Sequence, residues 1–466
     1  MANYVSTSVG NVGVGSSYLD NVRRLYNFGD RVAFLRADQT LFFSYLSGLA
    51  KQPTDDPKFM FLEQRDQWQR RDLVVASTVA AGNIADNGTQ AVEFLATYDN
   101  YGRDLGGMPA AGTPTDGTQY ARPVFLLANQ RIAVKCSTGT DAGVQVFLVT
   151  AVANATEANF STGSTTVNTV SATLKNVSGA TINVGFVEPS YTNKSEGDKA
   201  QIVGSAFAEA TGAPAGFEDQ LYDREGYTQI FKTSVNIVSG SAMATKYRGI
   251  PNEWARIWGP KMMEHKMDIT HALLFGVGSY ATEDGTDPQR YTWGIKPYTD
   301  TYGTTQSFTY AQTGYNDFMD FLKSFLAPEK GSQGRKLILT SRNILSWMNK
   351  LSDEGFLKNS VGANPILNYA TITGRFGHRL TQVNTIWGDL VFGEEVLLRG
   401  IWEDTAIVID MDNVKIRPLS ANGVSRDTFV TTNIQDNDMD GRKDQILTEL
   451  GLQIDLPETH AILTWS

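Results

Sequence analysis

Apolar residues recur with helical spacing most regularly between residues 252 and 274. Successive members of this face lie four or seven residues apart, which places their side chains along one side of an α-helix. They are Trp254, Trp258, Met262, Ile269 and Leu273. The pattern predicts one long helix in which Pro260 marks either a kink or the true first turn, because proline lacks a backbone N–H. Gly276 is the expected C-terminal cap.

Shorter periodic runs predict three further helices and a set of strands. The helical segments are Asp38–Leu49, Tyr315–Leu326 and a segment that follows the good N-cap Ser341 and ends at Leu351. The strands are predicted at Tyr227–Ser239, Lys336–Thr340, Leu380–Ile386, Asp389–Phe392, Ala406–Asp410, Val414–Arg417, Ile446–Ile454 and His460–Trp465. Since the last strand has no polar tail, we expect the C-terminal segment to be structural.

Residues 58–122 are patterned less regularly. Phe59 and Phe61 lie among charged residues in the segment Lys58–Val75, and residues 76–122 are rich in Gly, Ala, Thr and Asp with little periodicity. A structureless stretch of that length is unusual inside a compact domain. We therefore predict a long projecting loop that a partner chain orders.

Residues 123–200 contain short alternating runs separated by Gly and Asn. The runs are Arg131–Lys135, Val144–Val149, Thr165–Leu174 and Thr181–Phe186. Alternation of this kind predicts a small antiparallel β domain or an elaborated hairpin. An ordinary β insertion is favoured over a ligand-binding module, because a fold alone does not imply a function.

The N-terminal segment has a different composition. Residues 1–34 include a Gly/Ser/Val stretch, Val9–Ser17, with too little periodicity for a packed element, so we predict an extended arm. The first residues lack the basic and apolar regions of a signal peptide. No apolar run approaches the ~18 residues that a membrane-spanning helix needs, so no membrane segment is expected.

Composition adds a prediction about contacts with other chains. The chain has 466 residues, enough for two or three domains, and only 19 % of them are charged. Soluble globular domains usually have about 25 % charged residues. Low charge suits a surface that is hidden against other chains, where charged residues are depleted. It also suits a loop-rich β protein.

Charge and cysteine content exclude several functions. The formal net charge is −10, and no Lys/Arg run is longer than a pair. Specific nucleic-acid binding needs a basic surface that releases counterions from phosphate, so we do not expect it. A mildly acidic wall could still enclose DNA without gripping it. The single cysteine, Cys136, excludes a disulfide framework and a multi-cysteine metal site.

Motifs for catalysis are missing from the sequence. It contains no Gly-x-Ser-x-Gly, no phosphate-binding loop and no His-Glu-x-x-His. His265 and His271 lie six residues apart in the predicted long helix, so their side chains face different directions. We expect two helix residues there and no zinc site. The sequence therefore favours a protein that is not an enzyme.

One acidic segment matches half of a calcium-binding loop. Asp436, Asp438 and Asp440 alternate and are followed by Gly441. Alternate carboxylates can converge on one cation when a glycine allows the sharp turn. The twelfth position is Leu447, where such a loop needs a bidentate Glu. A solvated acidic turn is favoured over a calcium site, and no cofactor is expected.

Several segments resemble one known family. Asp268–Gly276 ends the long helix, and Lys443–Leu463 reads as a long strand that reaches a Pro-x-x-x-Ala turn. Lys58–Glu63 is similar to the start of an extended loop, and Val408–Leu419 resembles members with β-rich insertions. Together with the order of elements from Tyr227 onward, these segments resemble tailed-bacteriophage major capsid proteins of the Hong Kong 97-like fold.

The resemblance implies an α+β fold with a long spine helix and six regions. These regions are an N-terminal arm with a short helix (1–57), an extended loop (58–122), a β-rich insertion (123–200), a peripheral domain with the spine helix (201–295), an axial α/β domain (296–440) and C-terminal strands that return to the peripheral domain (441–466). The residues expected to carry structure or assembly are Trp254, Trp258, Met262, Leu273, Phe59 and Phe61.

The function that this resemblance implies is a major capsid protein that self-assembles into an icosahedral shell around the phage genome. Its expected partners are further copies in pentamers and hexamers, a separate scaffolding protein, a portal, a cement protein and enclosed double-stranded DNA. The expected location is the virion, after assembly in the host cytoplasm. The alternatives are a phage tail tube or sheath protein and an intracellular carbohydrate-active enzyme, which would need two facing carboxylates.

Overall fold

The structure is a computed structural model. It describes residues 41–48, 51–66, 71–96, 123–157, 167–189, 197–207, 209, 212–214, 216–246, 252–281, 288–327, 334–348, 368–373 and 379–466. The predicted arm over residues 1–34 lies outside them. The chain divides into two compact units: the smaller comprises Met1–Asp38, Thr233–Glu264 and Val430–Ile446, and the larger comprises Gln39–Lys232, His265–Phe429 and Leu447–Ser466.

The helices fall largely where apolar spacing predicts them. They are α1 (Leu41–Ser47), α2 (Gly240–Ala244), α3 (Glu253–Phe275), α4 (Ile295–Tyr302) and α5 (Tyr315–Phe325). Residues 342–348 are also helical, and the end predicted at Leu351 lies outside the described residues. Among the described residues, no helix combines the length and apolar character needed to cross a membrane.

Helix α3 confirms the long helix predicted at residues 252–274 and decides between the two positions predicted for Pro260. The Asn252 side chain caps the helix by accepting a hydrogen bond from the backbone N–H of Ala255 at 3.3 Å. Pro260 therefore lies inside the helix and not in its first turn. Gly276 follows the last helical residue and donates its backbone N–H to the carbonyl oxygen of Ala272 at 2.8 Å. A Cβ at this position would lie 2.5 Å from the same oxygen, so only glycine fits.

The strands outnumber the helices. They are β1 (Lys58–Glu63), β2 (Asp72–Val75), β3 (Val79–Ile84), β4 (Thr89–Leu95), β5 (Gln130–Cys136), β6 (Gly143–Glu157), β7 (Val167–Asn176), β8 (Ile182–Phe186), β9 (Lys199–Ser205), β10 (Tyr222–Tyr227), β11 (Gln229–Ser234), β12 (Ser279–Ala281), β13 (Gln289–Tyr291), β14 (Thr304–Phe308), β15 (Arg335–Thr340), β16 (Asn368–Thr373), β17 (Arg379–Asn384), β18 (Asp389–Glu394), β19 (Thr405–Ile409), β20 (Val414–Pro418), β21 (Ser420–Ala421), β22 (Val424–Ser425), β23 (Phe429–Thr431), β24 (Gln445–Ile454) and β25 (Ala461–Trp465).

A seven-stranded mixed sheet forms the centre of the larger unit, in the order β14-β25-β19-β15-β18-β17-β16. Strand β15 runs parallel to β18 and antiparallel to β19. Successive residues of a strand face opposite sides of the sheet. Accordingly, Leu337 and Leu339 pack with α1, α3 and α4, whereas Ile338 packs with α5. The sheet is therefore covered by helices on both faces.

Strands β2, β4, β7, β6, β5 and β9 close into a barrel in that order, and β3 pairs with β8 beside it. Its core is apolar and includes Phe94, Phe147 and Phe186, all of them fully buried. The antiparallel β domain predicted from residues 123–200 is present, but two of its strands come from residues 72–95. The loop predicted over residues 76–122 is therefore wrong for residues 79–95, where strong strand pairing outweighs the weak periodicity.

The strand predicted at Tyr227–Ser239 is confirmed only over β11 (Gln229–Ser234), because β10 already ends at Tyr227 and residues 235–239 follow the end of β11. Strand β10 pairs with β1, and β11 belongs to a second sheet in the order β11-β24-β20, with β23 also on β24. Thr228 separates them, and its backbone N–H donates to the carbonyl oxygen of Pro57 at 2.9 Å. The long strand and the last strand predicted at the C terminus are confirmed as β24 and β25.

The apolar face of α3 is only partly buried. Leu273 is fully buried, whereas Met262 is 41 % exposed. Within the smaller unit, the rings of Trp254 and Trp258 stack with their centroids 5.8 Å apart, and the Arg442 guanidinium lies 4.6 Å from the Trp254 centroid. Both tryptophans remain half-buried.

Candidate assembly interface

Strands β1 and β10 form a two-stranded antiparallel ribbon with one buried and one exposed face. Burial alternates along β1, so that Phe59, Phe61 and Glu63 face inward. Phe59 lies opposite Gly226 and Phe61 lies opposite Arg224. A hairpin alone is marginally stable in water, so the inner face must supply the contacts that hold the ribbon.

Phe59 fills a space that two glycines leave open. A Cβ at Gly226 would lie 2.5 Å from the Phe59 ring, and a Cβ at Gly451 would lie 2.8 Å from Cε1 of the same ring. The Arg417 guanidinium lies 5.3 Å from the centroid of this ring. Close packing on both sides leaves no room for a larger residue at either glycine.

The carboxylate of Glu63 holds the end of the ribbon. It accepts hydrogen bonds from Nε of Arg224 at 3.0 Å, from Nη2 of Arg65 at 2.9 Å and from the backbone N–H of Leu456 at 2.8 Å. The Glu63 side chain is almost fully buried. A buried carboxylate is tolerated when several donors of this kind surround it.

Arg65 connects this carboxylate to the C-terminal segment. Its Nε and Nη2 donate to the two carboxylate oxygens of Glu458 at 2.6 and 2.9 Å. Glu458 lies in the short 3-10 helix Pro457–Thr459, directly before β25. The ribbon is thereby clamped to the chain segment that enters the seven-stranded sheet.

Arg224 is the last member of this charged cluster, which consists of Glu63, Arg65, Arg224 and Glu458 and is called the clamp below. Aromatic rings surround its guanidinium. Its guanidinium lies 4.6 Å from the ring centroid of Tyr302, 4.8 Å from that of Tyr222 and 5.5 Å from that of Tyr298. Desolvated cation–π contacts stabilise an arginine in such a cage. Burial raises the pKa of the Tyr298 phenol, so this ring stays neutral beside the cation.

The outer face of the ribbon is exposed and partly apolar. Met60 is 59 % exposed and Leu62 is 65 % exposed. Across the ribbon, Asp223 lies opposite Leu62 and Glu225 lies opposite Met60. Nζ of Lys58 lies 2.5 Å from the Glu225 carboxylate, whereas Asp223 has no ion-pair partner within the part of the chain that the structure describes. Exposed apolar residues on a sheet face bordered by charges are typical of a protein contact surface.

A second buried carboxylate stabilises β24. Glu449 accepts hydrogen bonds from Nε of Arg426 at 2.5 Å and from Nη2 of Arg290 and Oγ1 of Thr228, each at 3.1 Å. Thr228 is the residue between β10 and β11. Glu449 on β24 therefore holds the link between the ribbon and β11 through its hydrogen bond from Thr228.

Helix α1 is held by Glu395. The Glu395 carboxylate accepts a hydrogen bond from the backbone N–H of Phe42 at 2.8 Å, and both groups are buried. Burial raises the pKa of Glu395 to about 7, although backbone hydrogen bonds from Phe42, Leu397 and Leu41 lower it. Leu41, Phe42 and Leu46 are fully buried against the central sheet. The segment that follows the N-terminal region is thus anchored by its first turn.

The comparisons with known proteins agree with this architecture. The family model described as SU10 major capsid protein matches residues 11–465. The chain belongs to the SU10 major capsid protein family. No curated protein sequence matches it. The capsid protein predicted from the resemblance is thereby confirmed. The α+β fold expected of it is present, with a long helix, a ribbon and a central α/β sheet.

Similar solved structures include other capsids and a virus-like particle. The capsid asymmetric unit of cyanophage A-1(L) is 13 % identical, covers 56 % of this chain and 84 % of its own, and has a TM-score of 0.39. The structure from Microbacterium phage Oxtober96 is 11 % identical over 56 % of this chain and 81 % of its own, with a TM-score of 0.35. The virus-like particle from Pyrococcus furiosus is 10 % identical over 53 % of this chain and 82 % of its own, with a TM-score of 0.31.

The capsid protein brings together some of the residues singled out from the sequence. Phe59 and Phe61 share the inner ribbon face with Glu63. Trp254 and Trp258 form their own stack in the smaller unit, and the assembly role expected for Trp254, Trp258, Met262, Leu273, Phe59 and Phe61 stays a prediction. The division into six capsid regions also stays a prediction, although the barrel takes strands from both sides of the boundary at residue 123.

The acidic turn and two histidines were considered as metal ligands from the sequence. Among the described residues, no group of three or more His, Cys, Asp or Glu side chains is arranged to hold a metal ion, and Asp436, Asp438 and Asp440 are part of the described chain. His265 is buried and its Nε2 lies 2.8 Å from Oγ1 of Thr448, while His271 is exposed.

The clamp residues were missed by the sequence patterns. Glu63 and Arg65 read as ordinary charged residues after an apolar run, and Arg224 lies in a segment without a motif. One signal was present, because Glu63 falls at an inward position of the alternating run that starts at Phe59. A charge at an inward position requires a partner.

Proposed function

We propose that this major capsid protein builds its shell by projecting the ribbon from a rigid clamp onto neighbouring copies, in pentamers and hexamers. The observation that carries the proposal is the contrast between the two ribbon faces. The inner face is held by buried Glu63, and the outer face exposes Met60 and Leu62. A rigid support with an exposed apolar face is what a repeated contact needs, because ordering a flexible element on binding costs free energy.

The enclosed genome is double-stranded DNA that the shell does not bind specifically. The chain has a formal net charge of −10, which opposes tight binding to a polyanion. The subunit is therefore proposed to enclose DNA without sequence recognition. Submicromolar binding of duplex DNA by the subunit at physiological salt, with a steep salt dependence, would contradict this part of the proposal.

The role is proposed to be structural and not enzymatic, as membership of a capsid family suggests. Assembly is proposed to take place in the host cytoplasm with a separate scaffolding protein, a portal and a cement protein, and the product is the virion. Particle images separate the alternatives: a capsid protein forms closed shells, a tail protein forms tubes, and a soluble carbohydrate-active enzyme forms small oligomers.

The ribbon proposal is tested with Leu62→Asp in the full chain. A carboxylate at an exposed position should leave the subunit folded and prevent shell formation, because it replaces the apolar contact of Leu62 with a charge that must lose its water. Ile386→Asp is the matched control, since Ile386 is 84 % exposed at a turn outside the ribbon. Folding is followed by circular dichroism and assembly by negative-stain microscopy. Normal shells from Leu62→Asp would refute the role of the ribbon.

A further inference from the structure

The barrel has an outer surface that complements the ribbon. On one side of the barrel, β6, β5 and β9 are neighbours. Val144 is 68 % exposed and Val203 is 63 % exposed, and Val146 is also exposed on this side. Val144 and Val146 are neighbours on β6, whereas Val203 lies on β9, on the other side of β5. Exposed apolar side chains spread over one face of a sheet are typical of a surface that another molecule covers.

Basic residues border these valines. Lys135 lies directly opposite Val144 in the pairing of β5 with β6, and Arg131 lies further along β5. Both are exposed, and neither has an ion-pair partner among the described residues. The barrel surface defined by Arg131, Lys135, Val144, Val146 and Val203 is therefore apolar with uncompensated positive charge.

The ribbon and barrel surfaces of one chain do not cover each other. Met60 and Leu62 on the ribbon and Val144 and Val203 on the barrel keep more than half of their surface exposed within the same chain. Nothing in the described part of the chain covers either surface. We propose that the outer face of the ribbon of one copy docks on the barrel surface of the next copy.

Charge selects this pairing over the symmetric ones. A ribbon placed on a second ribbon would bring Asp223 and Glu225 against the same carboxylates, and a barrel on a barrel would bring together Arg131 and Lys135. Like charges at an interface are strongly unfavourable, and opposite charges set partner and register. A ribbon docked on a barrel surface places Asp223 against Arg131 and Lys135. It also places the apolar side chains of the ribbon against the valines of the barrel.

A contact between two different surfaces has a further consequence. Such a head-to-tail contact repeats around an axis and closes into a ring when the rotation allows it. Two faces of sheets also pack well on each other, because alternate side chains interdigitate. The ribbon-on-barrel contact thus joins neighbours within a pentamer or hexamer. This inference rests on the proposed self-assembly through the ribbon.

Cross-linking in assembled shells tests the contact. A chain that carries both Leu62→Cys and Val144→Cys is assembled and treated with a short bismaleimide. The native Cys136 is buried, and burial together with the charge of Asp198 raises its pKa to about 12, so its thiol does not react. The expected product is a ladder of linked chains that ends at the pentamer and the hexamer.

The matched control carries Leu62→Cys and Ile401→Cys, because Ile401 is 85 % exposed but lies outside the barrel. It should give single chains. Shells of the test variant without a ladder would overturn the ribbon-on-barrel contact and leave self-assembly intact. Failure of the unsubstituted chain to form shells would instead overturn the proposed function itself.

Charge reversal provides a second measurement that does not depend on cysteine reactivity. Asp223→Lys and Lys135→Glu should each lower the yield of shells by about tenfold, because each places like charges in the contact. The two substitutions together should restore the yield. The control combines Lys135→Glu with Asp320→Lys, an exposed acid on α5, and should not restore it. Equal yields from both double variants would overturn the proposal.

Discussion

Glu63 and Arg224 come from opposite strands of the ribbon and meet on its buried face, with Oε2 of Glu63 3.0 Å from Nε of Arg224. Between them, the chain forms the entire barrel. The pair therefore closes the base of an insertion of more than a hundred residues, and it links this base to the C-terminal segment through Arg65 and Leu456.

Removal of the charge at the centre of the clamp should destabilise the subunit. Glu63→Gln leaves two buried arginines with less compensation, and loss of one partner from a buried ion pair typically costs about 3–5 kcal/mol. Denaturant unfolding of the soluble subunit measures the change. Glu225→Gln is the matched control, since Glu225 pairs with Lys58 on the exposed face and should change stability much less. Equal losses of stability from the two variants would show that the buried clamp contributes no more than the exposed ion pair.

A methyl group at Gly451 should disturb the packing of the ribbon against β24. A Cβ there would lie 2.5 Å from the carbonyl oxygen of Tyr227 and 2.8 Å from the Phe59 ring. Gly451→Ala should therefore lower the free energy of unfolding by about 1–3 kcal/mol, the range for overpacking. Gly204→Ala in β9 is the control, because no atom lies within 4 Å of a Cβ there. A neutral Gly451→Ala would show that the ribbon moves away without penalty.

The pH dependence of stability should change with Glu395. Its pKa is raised by burial from 4.5 to about 7 in the folded chain. Its stabilising contribution is therefore fully present below pH 4.5 and is lost as pH rises through about 7, by at most about 3 kcal/mol. Glu395→Gln cannot titrate and should lack this decrease.

His460 makes the opposite contribution and must be separated from Glu395. Burial lowers its pKa to about 4, so stability from this group increases as pH rises from 4 to 6.5. The informative quantity is the difference in unfolding free energy between the unsubstituted chain and Glu395→Gln at each pH. A difference that is constant between pH 4.5 and 8 would contradict the role assigned to Glu395.

The two ends of α3 should respond differently to truncation. Leu273→Ala removes a fully buried side chain and should cost about 2–5 kcal/mol. Trp258→Ala should cost the free subunit less than the about 3–5 kcal/mol of a buried aromatic, because Trp258 is only half-buried. Thermal or denaturant unfolding compares the two variants. A larger effect from Trp258→Ala would show that Trp258 is packed as closely as Leu273.

The sequence determined the elements whose residues carry a local period. Helix α3, helix α5 and strands β15, β19 and β24 were predicted within one or two residues, because their apolar residues repeat at the period of the element that they form. The capsid family was also recognisable, since the order of these elements and the segment Lys443–Leu463 resemble it. The reason is that periodicity is a property of neighbouring residues, which the sequence displays directly.

Tertiary structure alone decided the barrel and the clamp. Strands β2 and β4 have weak alternation, and they become strands because β9 and β7 pair with them from about a hundred residues away. Glu63 meets Arg224 and the C-terminal segment only when the ribbon has formed. Pairing and buried charge compensation depend on residues that are distant in the chain, so a local pattern carries no record of them.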